Sequence, residues 1–197
     1  MYRVDDMSEP ILYKITRPII KFLVNIIYLP KIEGIENIPI SDGIILAGNH
    51  TNNLDCFLLI ASTKRCIRFM AKDSLSKGLK GLIFNNMGII PVDRITHKNE
   101  ESIGKVKSIL NDDGVICIFP EGTINRTNDT IMPFKIGAVR FASDTNKLIV
   151  PFTIKGKYKL FSRIKLKFYK PIKIKDENLN KENKKLMNII KTNLEGK

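Results

Sequence analysis

Apolar and polar residues follow two periods along this chain, one typical of buried strands and one typical of helices. Short apolar runs bounded by glycine, proline or polar residues predict strands, whereas apolar residues three and four apart predict helices. The predicted strands are 43–47, 66–71, 89–92, 115–119, 148–154 and 165–174. The predicted helices are 55–63, 74–87, 98–111, 134–144 and 181–194.

Strands alternate with helices through most of the chain, which predicts an α/β fold. We expect a mostly parallel or mixed central sheet flanked by helices, preceded by an amphipathic N-terminal helical segment. Residues 31–42 contain glycine and proline and are interpreted as a connector or a short edge strand. The predicted organisation is therefore a helical segment over residues 1–30 and one α/β domain over residues 31–197.

Residues 11–29 predict an amphipathic helix, because their polar positions recur every three or four residues. Its three cations argue against a transmembrane span, and no small-residue cleavage site follows that would make it a signal peptide. A wide apolar face with a narrow basic stripe is typical of a helix that lies in a membrane interface. A buried helix broken at Pro18 is the alternative. The polar positions are Lys14, Arg17, Lys21 and Asn25.

The charge of the chain adds possible partners to this picture. The formal net charge is +13, and residues 155–197 hold fourteen Lys/Arg against four Asp/Glu. Such a surface suits nucleic acid, anionic lipid or an acidic substrate, and a lysine-rich composition without a partner is the alternative. No nucleic-acid-binding module is recognisable, so no nucleic acid is expected as a partner.

The three cysteines, Cys56, Cys66 and Cys117, lie in apolar segments and follow no metal-ligand spacing. They are interpreted as reduced core residues of a cytosolic protein. No cluster or glycine-rich motif indicates a metal ion or a nucleotide cofactor, and none is expected.

The stretch 49–55, Asn-His-Thr-Asn-Asn-Leu-Asp, lies where the first buried strand passes into a helix. In α/β proteins that end of the sheet is where ligands bind. His50, one of only two histidines, stands five residues before Asp55. A neutral imidazole takes a proton from a hydroxyl near neutral pH, and a carboxylate fixes its tautomer. The alternative is that His50 is a core or capping histidine and Asp55 a helix N-cap.

Three more stretches with backbone-shaping or polar residues stand at strand ends. They are 88–94 (Gly-Ile-Ile-Pro-Val-Asp-Arg), 119–123 (Phe-Pro-Glu-Gly-Thr) and 150–152 (Val-Pro-Phe). Together with 49–55 they resemble, in the same order, four sequence blocks of the 1-acyl-sn-glycerol-3-phosphate acyltransferase family. The resemblance covers roughly residues 34–154.

This resemblance implies that a fatty acyl group moves from acyl-CoA or acyl-carrier protein to the free hydroxyl of lysophosphatidic acid, giving phosphatidic acid. His50 is the expected general base and Asp55 the residue that orients it. The acceptor hydroxyl takes the place that serine holds in a hydrolase triad, so no acyl-enzyme is expected. The acyl thioester is a substrate, and no cofactor is implied.

The phosphate of the acceptor requires cations and polar groups nearby. Arg94 has a planar guanidinium that suits phosphate oxygens. The resemblance implies that Glu121, Gly122 and Thr123 shape the acceptor pocket, with backbone N–H groups available to phosphate. Secondary candidates at the same end of the sheet are Lys72 and Lys135.

Other functions stay open at the level of the sequence. The acceptor is another lysolipid or glycerol-3-phosphate in one alternative, and the chain is a basic lipid- or nucleic-acid-binding protein without catalysis in a more remote one. A hydrolase would need an activated serine, and the sequence contains no Gly-x-Ser-x-Gly elbow. The expected location is the cytoplasmic face of the cell membrane, with peripheral attachment to an anionic lipid surface.

Overall fold

Seven strands form one mixed sheet in the computed structural model, which describes residues 9–76, 81, 86–93, 99–175 and 177–196. The strands are β1 (Lys31–Glu33), β2 (Ile44–Gly48), β3 (Ile67–Lys72), β4 (Ile90–Val92), β5 (Val115–Ile118), β6 (Leu148–Lys155) and β7 (Lys165–Phe168). Their spatial order is β1-β7-β6-β2-β5-β3-β4. The five strands from β6 to β4 are parallel, β7 runs antiparallel to β6, and β1 runs parallel to β7.

The described helices cover both faces of this sheet. They are α1 (Ile11–Tyr28), α2 (Asp55–Ser62), α3 (Glu100–Asn111), α4 (Gly137–Thr145) and α5 (Leu179–Glu195). Ile44 and Leu46 of β2 point toward the α1 and α2 side, whereas Ile45 and Ala47 point toward the side of α3, α4 and α5. Because both faces are covered, β2 is buried along its whole length.

The predicted α/β architecture is confirmed, as are all six predicted strands. The last strand is shorter than predicted and ends at Phe168 rather than at residue 174. Pro171 has no backbone N–H to donate to a ladder, and Ile172 then returns to pair with Ile149 of β6. The interpretation of residues 31–42 as containing an edge strand is also confirmed, since β1 occupies one edge of the sheet. The predicted helix 74–87 lies mostly outside the described residues.

Helix α1 is continuous through Pro18, so the break in the alternative interpretation is absent. One side of it packs on α2 and the core through the buried Tyr13 and Val24. Arg17 also turns inward, and its Nη2 donates to the carbonyl oxygen of Thr63, the residue that follows α2, at 2.6 Å. The four predicted polar positions therefore do not act as one solvent-facing stripe, because Arg17 is held against the domain.

The other side of α1 presents a row of apolar side chains to the surface. We call this row the apolar stripe, and its members are 45–76% exposed. It consists of Ile11, Ile15, Ile19, Phe22, Ile26 and Leu29. Their spacing of three and four residues places them on one helix face. Among the described helices, none is both long and apolar enough to span a bilayer.

Gly48 ends β2 and directly precedes the stretch 49–55. A Cβ atom at this position would lie 2.4 Å from the ring of Phe152 on β6. Phe152 is fully buried, so its ring has no space into which to move. The same ring lies edge-on to Phe119, with the two centroids 6.0 Å apart. The absence of a side chain at position 48 therefore leaves the space that the Phe152 ring occupies beside the end of β2.

We expect Gly48→Ala to lower the free energy of unfolding by about 2 kcal/mol, since overpacking a filled core typically costs about 1–3 kcal/mol. Urea unfolding measures this change. The matched control is Gly104→Ala on α3, where an added Cβ meets nothing within 4 Å. It should raise stability by about 0.5–1 kcal/mol through helix propensity. A change of the same sign and size in both variants would contradict the argument from packing.

Candidate active site

The loops that follow β2, β4 and β5 meet at the carboxyl edge of the parallel strands. They surround a cavity of about 280 Å³. Its wall combines apolar side chains from the sheet and α4 with polar groups from the loops. The apolar members include Met70, Val92, Ile118 and Phe141. His50 lines the same cavity, so the predicted base has access to a ligand-sized space.

His50 and Asp55 are hydrogen-bonded, with 2.9 Å between Nδ1 of the imidazole and Oδ2 of the carboxylate. A carboxylate only accepts, so a neutral imidazole in this contact carries its proton on Nδ1. Nε2 is then the basic nitrogen. The side chain of His50 is 16% exposed and that of Asp55 is fully buried. The arrangement therefore suits an oriented general base.

Four further donors surround the carboxylate of Asp55. Oδ2 accepts the backbone N–H groups of Thr51 at 2.7 Å and of Asn52 at 2.9 Å. Oδ1 accepts the hydroxyl groups of Thr51 at 3.0 Å and of Tyr158 at 2.6 Å. Hydrogen bonds to a charged group contribute about 1.5–3 kcal/mol each, so this set offsets the cost of burying the charge. Asp55 is thus both the first residue of α2 and the centre of the loop that carries His50.

Phe119 fixes the imidazole from one side. Its ring is stacked on that of His50, with 4.0 Å between the centroids and 13° between the planes. The Nδ1 hydrogen bond sets the direction of the imidazole, and this stack sets its plane. Together they leave the ring little freedom to rotate.

Glu121 joins the loop after β5 to the loop after β2. Its Oε1 accepts the backbone N–H of His50 at 2.9 Å, and its Oε2 accepts the backbone N–H of Met132 at 2.8 Å. The residue is 5% exposed. The carboxylate therefore positions the backbone at His50, as a pocket-shaping residue should.

Asn49 fastens the other side of the same loop. Its side-chain Oδ1 accepts the backbone N–H of Ile154 at 2.8 Å, and its Nδ2 donates to the carbonyl oxygen of Ile154 at 2.9 Å. This buried amide replaces the backbone partner that β2 would offer if it continued beside β6. Asn49 thus holds the chain at the point where it leaves the sheet, one residue before His50.

A positive end of the cavity is formed by Lys135 and the start of α4. Lys135, Gly122 and Gly137 all line the cavity. Gly122 has a φ of +75°, and a Cβ there would lie 2.8 Å from Cε of Lys135. The positive φ of the turn therefore favours glycine here, and the end of the Lys135 side chain lies close against it. The first backbone N–H groups of α4 have no partner within the helix and favour an anion.

The remaining predicted site residues are placed differently. Lys72 and Thr123 are exposed, and the described cavity wall includes neither of them. Arg94 lies outside the described residues. Asp93, which precedes it, lines the cavity together with Asn99. Oδ1 of Asn99 accepts the backbone N–H of Asp93 at 2.7 Å, and its Nδ2 donates to the carbonyl oxygen of Asp93 at 2.8 Å. These two hydrogen bonds connect Asp93 directly to Asn99.

The roles of two site residues were not predicted from the sequence. The stacking role of Phe119 was not visible, although the residue belongs to a quoted block. Tyr158 lies 103 positions after Asp55 in a basic loop, and no local pattern marks it as a partner of a carboxylate. Within the described part of the chain, no group of three or more His, Cys, Asp or Glu side chains is arranged to hold a metal ion.

Much of the chain is similar to known proteins. A family model described as Acyltransferase matches residues 30–155. A chloroplastic 1-acyl-sn-glycerol-3-phosphate acyltransferase from Arabidopsis thaliana is 29% identical over 136 residues, covering 68% of this chain and 38% of that protein. A 1-acyl-sn-glycerol-3-phosphate acyltransferase from Borreliella burgdorferi is 33% identical over 126 residues, covering 62% of this chain and 50% of that protein. The chain thus spans half or less of the length of these curated relatives.

A similar fold occurs in the crystal structure of PlsC, the 1-acyl-sn-glycerophosphate acyltransferase from Thermotoga maritima. The TM-score is 0.69 at 22% sequence identity, covering 93% of this chain and 77% of that one. The likeness therefore extends over nearly the whole fold, including the region outside residues 30–155.

We expect Glu121→Gln to lower the free energy of unfolding by about 2 kcal/mol. A glutamine amide accepts only one of the two backbone N–H groups and turns a donor toward the other. Urea unfolding measures the loss. The control is Glu182→Gln on α5, a buried acid whose partner Lys185 is half exposed, at 2.6 Å. The control should cost less than about 1 kcal/mol, and an equal loss in both variants would contradict the bridging role.

Proposed function

We propose that this chain, which belongs to the acyltransferase family, transfers a fatty acyl group from an acyl thioester to the free hydroxyl of lysophosphatidic acid. The product is phosphatidic acid. The observation that carries this proposal is the hydrogen bond between His50 and the buried Asp55 beside an open cavity. The choice of acceptor follows the names of the relatives, which are 1-acyl-sn-glycerol-3-phosphate acyltransferases.

The reaction requires that a hydroxyl lose its proton while its oxygen attacks the thioester carbonyl. Nε2 of His50 takes that proton, and Oδ2 of Asp55 stabilises the imidazolium that forms. As the tetrahedral intermediate collapses, the bond from carbon to sulfur breaks. The imidazolium then returns a proton to the leaving thiolate. Atoms and charges balance without a metal ion or a cofactor, because the acyl group arrives already activated as a thioester.

Direct transfer is favoured over an acyl-enzyme by the composition of the cavity wall. Among the described lining residues there is no serine, threonine or cysteine. Burial raises the pKa of Cys56 to about 12, with a contribution from the neighbouring Asp55. This thiol is therefore a poor nucleophile at neutral pH, although it stands next to the dyad. The acceptor hydroxyl is left as the attacking group.

The phosphate of the acceptor fits the positive end of the cavity. Lys135 and the N-terminus of α4 provide a cation and backbone donors there. Arg94, which directly follows the cavity residue Asp93, is a further phosphate ligand in this proposal. Glu121 and Gly122 shape the turn, and Glu121 acts through its hydrogen bonds to the backbone rather than on the phosphate.

The apolar stripe of α1 is the proposed membrane-contacting surface. Two more exposed apolar residues, Leu160 and Phe161, extend it, because the N–H of Phe161 donates to the carbonyl oxygen of Ile27 at 2.7 Å. Exposed cations flank these apolar residues, as suits an anionic lipid surface. They are Lys14, Lys21, Lys157, Lys159 and Arg163.

This surface lies beside the proposed active site. Tyr28, the last residue of α1, contacts the ring of Tyr158, which in turn bonds Asp55. A lysolipid in the bilayer is thus a short distance from the dyad. We infer a peripheral attachment at the cytoplasmic face of the membrane, with acyl-CoA or acyl-carrier protein as the donor from the aqueous side.

We expect His50→Ala to reduce acyl transfer by about a thousandfold or more, since removal of a positioned base typically costs about 10²–10⁴ in rate. The measurement is transfer of a labelled acyl group to lysophosphatidic acid, with acyl-CoA and acyl-carrier protein as parallel donors. Thermal unfolding close to that of the parent establishes that the variant is folded. Near-native turnover in a folded variant would contradict the mechanism.

We expect the double variant Phe22→Ser with Ile26→Ser to bind anionic vesicles at least tenfold more weakly than the parent. Each of these side chains contributes about 1.5–3 kcal/mol when it is transferred from water to an apolar phase. Cosedimentation with phosphatidylglycerol-containing vesicles measures the affinity. The control is Ile103→Ser, which removes a 40% exposed isoleucine from α3 on the opposite face of the sheet. Equal effects of the variant and the control would contradict the assignment of the surface.

A further inference from the structure

The hydroxyl of Tyr158 lies 2.6 Å from Oδ1 of Asp55. Tyr158 belongs to the segment 156–163, which connects β6 to β7 and is far from the His50 loop in sequence. No other described side chain from that segment has a hydrogen bond to the site. The contact is therefore a specific link between a distant loop and the carboxylate of the dyad.

The direction of this hydrogen bond is fixed by chemistry. Burial, with a contribution from the charge of Asp55, raises the pKa of Tyr158 well above its ordinary value. The hydroxyl therefore keeps its proton and donates, while the carboxylate accepts. Oδ1 receives this donor and the hydroxyl of Thr51, and Oδ2 receives the backbone donors and His50.

The ring of Tyr158 is held as firmly as its hydroxyl. Tyr28 meets it edge-on, with 5.3 Å between the centroids and 85° between the planes. Three residues further along the segment, the hydrogen bond from Phe161 to Ile27 fastens the loop to the end of α1. The hydroxyl is thus aimed at Asp55 by packing on the helix that carries the apolar stripe.

We propose that Tyr158 is a positioning residue for the dyad, which holds Oδ1 of Asp55 so that Oδ2 stays aligned with Nδ1 of His50 and which takes up part of the carboxylate charge. The inference rests on the proposed acyl transfer for its catalytic meaning, although the link itself is a property of this structure. No residue in the segment 156–163 belongs to the blocks that suggested the site.

The consequence for His50 has a definite sign. Without the Tyr158 hydroxyl, more negative charge on Asp55 acts on the imidazole, and the protonated form of His50 is favoured. Four donors remain on Asp55, so the carboxylate stays in place. Among the described residues, the other titratable groups that face the dyad, its loop or its cavity are Tyr28, Cys56, Asp93, Cys117, Glu121 and Lys135. All of them are unchanged in a variant that removes only the hydroxyl.

The test is Tyr158→Phe, which keeps the ring on Tyr28 and deletes one oxygen. The matched control is Tyr169→Phe. The hydroxyl of Tyr169 pairs with Thr153 Oγ1 at 2.9 Å and has no contact with the dyad. Each variant loses one partly buried hydroxyl hydrogen bond. Tyr158→Phe should lose more stability, because its acceptor is a charged carboxylate, and only this variant should affect His50.

The first readout is the NMR titration of the imidazole, in the full chain bound to nanodiscs. The chain has two histidines, and His50→Gln assigns their signals. In Tyr158→Phe we expect the His50 signal to titrate at a higher pH than in the parent, with no change in Tyr169→Phe. An unchanged titration in both variants would overturn the proposal.

The second readout is the pH profile of acyl transfer. We expect kcat of Tyr158→Phe to fall about tenfold with little change in KM for lysophosphatidic acid, and the acidic limb of kcat/KM to move to higher pH. A fall in rate with an unshifted profile would assign Tyr158 a purely structural role and overturn the proposal.

The two readouts separate this inference from the proposed function. If the parent transfers no acyl group to lysophosphatidic acid, the acyl-transfer assignment fails, whatever the titration shows. If the parent is active but Tyr158→Phe shows neither the titration shift nor the altered pH profile, the positioning role alone fails.

Discussion

A buried carboxylate without solvent must be surrounded by donors, and Asp55 satisfies this requirement with groups from two parts of the chain. Its own loop provides backbone N–H groups, the Thr51 hydroxyl and the imidazole of His50, and the segment 156–163 provides the hydroxyl of Tyr158. A buried charge without these donors would cost several kcal/mol. Asp55 can therefore be buried only while the loop keeps the conformation that presents its donors. The orientation of the imidazole is one result of that dependence. Catalytic geometry and local stability therefore rest on the same set of hydrogen bonds.

Glu121 is a second buried carboxylate that is surrounded by hydrogen-bond donors. Its two oxygens accept the backbone N–H groups of His50 and Met132. Glu121 therefore fixes the conformation of the loops and has no part in the proposed proton transfer. The two buried acids act on different parts of His50. Asp55 orients its ring, and Glu121 positions its backbone. Asn49 adds a neutral clamp to the neighbouring strand. The position of the base is consequently determined from both sides by polar groups.

Much of the architecture follows from periodicity, and the limits of that reasoning have physical causes. The buried strands such as β2 could be predicted because an uninterrupted apolar run between glycines has few other solutions. The pairing of His50 with Asp55 could be predicted because both residues lie in one short loop. Tyr158 could not, because its contact spans 103 positions and depends on the way α1 and the segment 156–163 pack. The inward turn of Arg17 was missed for a similar reason, since only the position of α2 reveals a carbonyl oxygen for its guanidinium.

The exposed face of α1 also bears on how the cavity receives its substrates. In the proposed reaction, a soluble thioester donor and an acceptor held in a bilayer would reach the protein from different phases, so the reacting atoms would have to meet near a boundary. The last turn of α1 and the segment 156–163 form such a boundary, because they combine exposed apolar side chains with direct packing on Tyr158. The charge of +13 acts over a longer range than these apolar contacts and is weakened by salt. In the proposed membrane attachment, charge would therefore bring the protein toward an anionic surface, whereas the apolar side chains would determine which face meets it and would keep the dyad next to the lipid.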